Sequence, residues 1–212
     1  LTKGKPSVTN VILTRQLAGK NLDPSVASLS QDDILRLAAS LEKGSEHSLA
    51  EAIVKKAEEK NLALSHVEGF KAIAGYGVEG FIERKKIVLG NRKLMEKEKI
   101  DISFARGRLA KLEEEGKTVM ILAVEEKIAG LIAVADTVKE TAKEAIEQLN
   151  SLAIETIMIT GDNQRTANAI AKQLGIKKVF AEVLPQEKEK ILKQVQNDKG
   201  KKVVAMVGDG IN

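Results

Sequence analysis

The chain has 212 residues, of which 43% are hydrophobic and 30% charged, and this composition predicts one or two globular domains. Its apolar runs are shorter than the roughly 18 residues that a membrane-spanning helix needs, and a chain without cysteine and with two histidines excludes disulfides and disfavours an all-protein transition-metal site. The net charge of +4 is spread over segments that mix both signs, such as EAIVKKAEEK, which is typical of solvated helix faces and argues against nucleic-acid binding.

The first part of the chain, from about residue 6 to about residue 134, predicts an irregular mixture of strands and helices. PSVTNVILT alternates like a strand. In SQDDILRLAASLEKG, Ser30 and Asp33 form a predicted capping box and Gly44 follows the helix end. SLAEAIVKKAEEKN repeats this pattern with Ser48 and Glu51. Five strands complete this part and indicate a largely antiparallel sheet: VEGFKAIAG, VEGFIER, KIVLGN, TVMILAVE and IAGLIAVAD.

From about residue 135 the pattern becomes regular, because helices and strands alternate at short spacing. The helices are TAKEAIEQLNS, NQRTANAIAKQLG and PQEKEKILKQVQ, and the strands are IETIMIT, KKVFAE and KVVAMV. Such alternation predicts right-handed crossovers and a parallel sheet covered by helices on both faces. We therefore expect an α/β fold in this part of the chain.

Polar residues follow the predicted parallel strands. Thr160 and Asp162 come after IETIMIT, Glu182 after KKVFAE and Asp209 after KVVAMV, while Asp136 follows the last strand of the first part. Ligands of parallel sheets bind at the carboxyl ends of the strands. Carboxylates suit Mg²⁺, a hydroxyl and loop N–H groups suit phosphoryl oxygens, and Lys188 supplies a positive charge for a transferring phosphoryl group. The pattern predicts magnesium-dependent phosphate chemistry.

A second candidate site surrounds glycines in the first part of the chain. Gly75 and Gly77 flank a turn at which a flat ligand can approach the backbone closely. Gly90 and Asn91 end a neighbouring strand with the same openness. Two further candidates, Glu46 and His47, precede the second helix, and for His47 a surface position near the helix start is an equally good interpretation.

Six segments resemble motifs of the heavy-metal-transporting P-type ATPases, and of their copper exporters most of all. TGDNQRTA, VLPQEKEK and VAMVGDGIN resemble motifs of the phosphorylation domain, and SEHSLAEAI, GYGV and LGN resemble the nucleotide-binding signature. The resemblance implies an α/β fold with a haloacid-dehalogenase-like, parallel phosphorylation domain, incomplete here, in residues 1–5 and 135–212. An α+β nucleotide-binding domain built on an antiparallel sheet is then inserted as residues 6–134.

The resemblance also implies roles for individual residues. Adenine and ribose of ATP would be surrounded by Glu46, His47, Gly75, Gly77, Val78, Gly90 and Asn91. Thr160 would bind the phosphoryl group with Asp162 beside it, Lys188 would neutralise the transferred charge, and Asp209 would hold Mg²⁺.

The sequence departs from the family pattern in two ways. Ser48 stands where the family has proline after the signature histidine. The resemblance further implies that Leu1 lies five residues after the phosphorylated aspartate and that a second acid follows Asn212. We therefore expect this chain to bind ATP or ADP without turning it over, and its parallel sheet to be open at the edge where the nucleophile strand belongs.

In the intact protein, the resemblance implies that ATP phosphorylates an aspartate at the cytoplasmic face of a cell membrane. Together with an actuator domain and transmembrane helices of the same polypeptide, this would drive export of a heavy-metal ion, Cu⁺ first, with zinc, cadmium, cobalt and silver left open. Two alternatives remain. One is a soluble phosphatase of the haloacid dehalogenase type with residues 6–134 as its cap, and the other is a non-catalytic nucleotide-sensing module.

Overall fold

The structure is a computed structural model that describes residues 2, 5–17, 23–45, 47–198 and 203–208. Two sheets organise these residues, one with six strands and one with two. We call residues 5–135 the six-stranded region and residues 136–198 the two-stranded region. No helix within the described ranges combines the length and the apolar character needed to cross a bilayer.

The larger sheet is antiparallel throughout, with the strand order β1-β6-β5-β4-β3-β2. Its strands are β1 (Ser7–Leu13), β2 (Glu68–Ile73), β3 (Gly77–Ile82), β4 (Lys85–Gly90), β5 (Thr118–Val124) and β6 (Lys127–Ala135). Two tight hairpins connect neighbouring strands, at Glu83–Arg84 and Glu125–Glu126, and all four residues have the positive φ that such turns require. The predicted antiparallel sheet is confirmed.

Helices cover both faces of this sheet: α1 (Pro24–Ala27), α2 (Gln31–Glu42), α3 (Ser48–Glu59), α4 (Arg92–Lys97) and α5 (Arg106–Glu114). Because side chains alternate along a strand, Leu122 packs in the cluster under α2 and α3, whereas Ile121 packs in the cluster with α4 and α5. This double cover explains why β5 reads as an uninterrupted apolar run.

Of the two predicted capping boxes, one is present at the start of α2 and the other is absent at the start of α3. Ser30 and Asp33 form the predicted box, since Ser30 Oγ accepts from the Asp33 N–H at 3.1 Å and Asp33 Oδ2 accepts from the Ser30 N–H at 2.8 Å. The predicted box of Ser48 and Glu51 is wrong. Ser48 is the first helical residue, so the capping position falls on His47, whose Nδ1 accepts from the Ala50 N–H at 3.1 Å.

The two-stranded region continues the chain with α6 (Glu140–Ser151), β7 (Ile157–Ile159), α7 (Gln164–Leu174), β8 (Lys178–Phe180) and α8 (Lys188–Asp198). β7 and β8 are parallel, as predicted. α7 ends at Gly175 in the left-handed conformation, which was also predicted. Pro185 begins a 3-10 turn, Pro185–Glu187, rather than α8 itself.

The predicted strand KVVAMV is wrong. Residues 203–208 have no regular secondary structure, and Val203 and Val207 are 98% and 94% exposed. A parallel strand is stable only beside hydrogen-bonded neighbours, and among the described residues β7 and β8 pair only with each other. The parallel sheet is therefore two strands wide in this part of the chain, rather than the wider, fully covered sheet that the alternation predicts.

Candidate functional site

The loop after α2 contains a buried carboxylate that the sequence analysis missed. Glu42 ends α2, its side chain is 0% exposed, and neither carboxylate oxygen has a well-formed hydrogen-bond partner among the described residues. The Ser45 hydroxyl is likewise buried and unpaired there. Because burying such groups without partners is unfavourable, they point to a ligand that offers hydrogen bonds. The available signal was helical periodicity, since Glu42 follows the fully buried Ala38 by four residues.

His47 links this carboxylate to the start of α3. Its Nε2 lies 3.4 Å from Glu42 Oε2, a long and weak contact, while Nδ1 caps the helix. The tautomer with its proton on Nε2 satisfies both contacts at once. The Glu42 carboxylate raises the pKa of His47 by hydrogen bonding and charge attraction, with a further contribution from Glu51, while burial acts in the opposite direction. The imidazole is half-exposed, so one side remains accessible to a ligand.

The glycine turn between β2 and β3 is shaped by close backbone contacts. Gly75 and Gly77 have φ of +76° and +147°, values that L side chains rarely adopt. Gly77 pairs with Gly90 across β3 and β4, and a Cβ on either would overlap backbone atoms of the other strand. At Gly77 and Gly90 the absence of a side chain therefore allows β3 and β4 to approach closely.

Asn91 holds the glycine turn in place. Its Nδ2 donates to the Gly75 carbonyl and its N–H to the Tyr76 carbonyl, both at 2.9 Å, while its Oδ1 caps α4 by accepting from the Leu94 N–H. Val78 is 3% exposed and packs in the core below. Both residues support the shape of the turn.

The loop after α2 approaches the hairpin that carries the glycine turn. A Cβ on Gly44, in the loop after α2, would lie 3.8 Å from the ring of Phe70 on β2, and this strand leads directly into the glycine turn. Glu46 belongs to the same loop but lies outside the described residues.

Thr160 and Asp162 form a hydrogen-bonded loop directly after β7. Thr160 Oγ1 donates to Asp162 Oδ2 at 2.9 Å and accepts from the Asp162 N–H at 3.2 Å. Thr118, at the start of β5, donates its hydroxyl to Asp162 Oδ1 at 3.0 Å. The loop is also tied to the segment after β8, because the Val183 N–H donates to the Thr160 carbonyl. Sequence reasoning missed Thr118.

Three more polar residues, Lys188, Asp209 and Asp136, were predicted at this edge of the sheet. Lys188 is the first residue of α8, whereas Asp209 lies outside the described residues. Asp136 follows β6 of the antiparallel sheet and accepts from the Lys5 N–H at 3.3 Å. Within the described ranges no group of three or more acidic or histidine side chains is arranged to hold a metal. The oxygen donors at the loop, from Thr160 and Asp162, are nevertheless of the type that Mg²⁺ prefers.

Polar contacts join the two regions beside this loop. Thr166 Oγ1 donates to the Lys117 carbonyl at 2.7 Å. Arg165 approaches Glu113 at 3.2 Å, and the same carboxylate, 4% exposed as a residue, also accepts two hydrogen bonds from Arg92. These contacts place α7 against the end of α5 and the start of β5.

The segment after β8 reaches the glycine turn. Leu184 Cδ2 lies 2.9 Å from the position that a Cβ on Gly75 would take, and Glu182 forms an ion pair with Lys93 on α4. The glycine turn and the Thr160–Asp162 loop therefore border the same part of the surface.

Comparisons with known proteins agree with this architecture. The family model described as haloacid dehalogenase-like hydrolase matches residues 1–212. Copper-exporting P-type ATPases of Staphylococcus aureus strain MRSA252 and of Staphylococcus saprophyticus are 47% and 42% identical, each over 97% of this chain. The chain spans about a quarter of the length of these relatives, 26% in both.

Solved structures give the same result. A zinc-transporting PIB-type ATPase in its E2.Pi state superposes with a TM-score of 0.59 and 31% identity, over 93% of this chain and 30% of that chain. The catalytic domain of the CPx-ATPase CopB-B reaches a TM-score of 0.66 at 23% identity, over 95% and 64% of the two chains, and supports the fold. These matches confirm the resemblance predicted from the six motifs and the predicted fold class.

Proposed function

The chain belongs to the haloacid dehalogenase-like hydrolase family, and from this premise we propose that it is the ATP-binding catalytic region of a heavy-metal-exporting P-type ATPase. In the intact protein, ATP phosphorylates an aspartate, and this drives a metal ion across membrane helices of the same polypeptide. Cu⁺ is the first candidate cargo, because the relatives named above are copper exporters. The catalytic region then faces the cytoplasm, where ATP is available.

The observation that carries this proposal is the buried Glu42 carboxylate, which makes a long 3.4 Å contact with His47 Nε2 and no well-formed hydrogen bond among the described residues. Adenine offers an exocyclic amino group, which donates to such a carboxylate, and ring nitrogens, which accept from a hydroxyl or an imidazole N–H. The Ser45 hydroxyl, three residues after Glu42, supplies such a donor, while His47 Nε2 would exchange its long contact with Glu42 for a ring nitrogen. The site thus matches the hydrogen-bonding edge of a purine.

The other predicted nucleotide residues complete this site. The glycine turn forms its wall, with Gly75, Gly77, Val78, Gly90 and Asn91 fixing the shape of the turn. Glu46, which precedes His47 in the sequence, is proposed to contact the adenine or ribose as well.

The phosphoryl end of the nucleotide is proposed to meet the loop after β7. The Thr160 hydroxyl binds a phosphoryl oxygen, and Asp162 orients that hydroxyl through their hydrogen bonds. Lys188 neutralises the transferred charge. Asp209, together with oxygens of this loop, would hold Mg²⁺, which would supply positive charge against the phosphates.

We call Glu42, Ser45 and His47 the base site. The test is calorimetric titration of ATP and ADP into the wild type and two variants of these residues. His47→Ala and Glu42→Gln should each lower the affinity by about 1–2 kcal/mol, the scale of a lost hydrogen bond in a partly buried site. Because His47 also caps α3, His47→Asn is the companion variant, since asparagine keeps a capping oxygen. It should fold normally and still bind ATP more weakly.

The matched control is Glu147→Gln, an exposed acid on α6, which should bind ATP like the wild type. Wild-type affinity in both His47→Asn and Glu42→Gln would remove the base site from the α2–α3 loop.

A further inference from the structure

We propose that Lys93 receives the phosphate chain of the bound nucleotide, and that Glu182 is the anion that occupies Lys93 when no nucleotide is bound. The inference rests on the proposed function and adds to it the residue that guides the phosphates from the base site towards Thr160.

The position of Lys93 carries the first part of the argument. Lys93 lies two residues after Asn91, whose side chain is hydrogen-bonded to the Gly75 carbonyl, so α4 starts at the glycine turn. Its Nζ reaches across to the Glu182 carboxylate. The Glu182 N–H in turn donates to the Asp162 carbonyl at 2.8 Å. A single ion pair therefore joins the glycine turn to the phosphoryl loop.

The route of a triphosphate gives the second part. A nucleotide whose base lies in the six-stranded region must cross this junction to bring its last phosphate to Thr160. The close approach of Leu184 to Gly75 shows that the segment after β8 already meets the glycine turn here. Lys93 is the ammonium group at the crossing point, and a point charge on a flexible stem is suited to a phosphate chain.

Other basic side chains near the junction have partners that hold them in place. Arg92 and Arg165 both bind the buried Glu113, and Lys117 contacts Asn10 and Glu115. Lys93 differs because its partner, Glu182, lies in the segment after β8 beside the Thr160–Asp162 loop and is exposed to solvent.

The ion pair between Lys93 and Glu182 is weak enough for a polyphosphate to displace Glu182. The side chains of Lys93 and Glu182 are 55% and 42% exposed, and ion pairs at such positions contribute little. Glu182 also has φ of +57°, in the left-handed region that is unfavourable for residues other than glycine. A polyphosphate carries several negative charges and competes well with one carboxylate.

The ammonium group of Lys93 stays charged at the junction. The hydrogen bond that Lys93 donates to Glu182 raises its pKa, burial opposes this, and the negative charges of Glu182 and Glu187 add to the increase. Lys93 is therefore available as a cation over the range in which the protein would bind nucleotide.

The experiment uses a ligand series that separates base from phosphates. Adenosine, AMP and ATP are titrated calorimetrically into wild type, Lys93→Met and Glu182→Gln. Lys93→Met keeps the aliphatic stem and should weaken ATP binding about tenfold, the size of one charge-assisted hydrogen bond, while adenosine binds unchanged. Glu182→Gln removes the competing anion and should strengthen ATP binding. The matched control is Lys97→Met on the same helix, which should bind all three ligands like the wild type.

The outcomes separate this inference from the proposed function. If Lys93→Met binds ATP like the wild type, or loses adenosine and ATP equally, Lys93 does not guide the phosphates. Unchanged ATP binding in Glu182→Gln would overturn the role of Glu182 as the resident anion. If the wild type binds none of the three ligands, the proposed function fails and the inference falls with it.

Discussion

The six-stranded and two-stranded regions are stabilised in different ways. The largest fully buried side chains among the described residues, from Ile34 to Ile121, all belong to the six-stranded region, which has a packed cluster on each face of its sheet. The two-stranded region has one small cluster around Met158 and Leu174. Hairpins join several pairs of neighbouring strands in the antiparallel sheet, whereas the strands of a parallel pair are always separated by a crossover segment.

This difference has a consequence for the site. The base site lies in the well-packed, six-stranded region. The Thr160–Asp162 loop and α7 lie in the less packed region and are hydrogen-bonded to Thr118, Lys117 and Glu113 of the six-stranded region. Hydrogen bonds and ion pairs are among the contacts between the regions, and relative motion is the usual behaviour of polar domain interfaces. We therefore expect the phosphoryl loop to depend on the six-stranded region for its position, but not the reverse.

The largest predicted effect is a loss of stability in the better packed, six-stranded region. Gly77→Val introduces a Cβ that overlaps the Leu89 carbonyl and Gly90 at a φ of +147°. We expect a loss of more than about 3 kcal/mol of unfolding free energy, measured by urea denaturation. Gly107→Ala is the control, because a Cβ there meets no atom within 4 Å and alanine favours a helix. A Gly77→Val chain with wild-type stability would show that β3 and β4 do not pack so closely.

A smaller effect is expected where the two regions meet. Glu113→Gln removes the charge that holds Arg165 of α7 and Arg92 of α4. Because both arginines are partly exposed and can be solvated, we expect a loss of about 1–2 kcal/mol. Hydrogen exchange should then become faster in α7 and stay unchanged in β5 and β6. Equal acceleration in both places would show that the two regions unfold as one unit.

Much of the fold could be predicted because its signals are local. The alternation in β1, the Ser30–Asp33 box and the Gly175 terminator each depend on residues within a few positions of one another. Residues 203–208 have an equally apolar pattern, but a parallel strand needs hydrogen-bonding neighbours, and a pattern within one segment does not tell whether they are present.

The candidate site was predictable to a lesser degree. The pairing of Thr160 with Asp162 follows from their spacing in one loop. Thr118 has no local signal, since its contact with Asp162 joins residues that are 44 positions apart. His47 was overlooked as a helix cap because serine is the more frequent capping residue, and Glu42 because acids on helices are usually solvated.

The smallest predicted effect would sharpen the comparison by locating a pH dependence in the six-stranded region. Glu42 raises the pKa of His47 above its ordinary value of 6.5. A group with a higher pKa in the folded state stabilises the protein fully below the unfolded pKa, and this contribution is lost as the pH rises through the folded pKa. His47→Asn keeps the helix cap and does not titrate. The stability advantage of the wild type over this variant, from urea unfolding, should therefore be larger below pH 6.5 and decline above it. The change should be small, because the imidazole is half-exposed and because protonation of Nδ1 ends its hydrogen bond from the Ala50 N–H. An advantage that stays constant with pH would show that Glu42 does not attract the imidazolium.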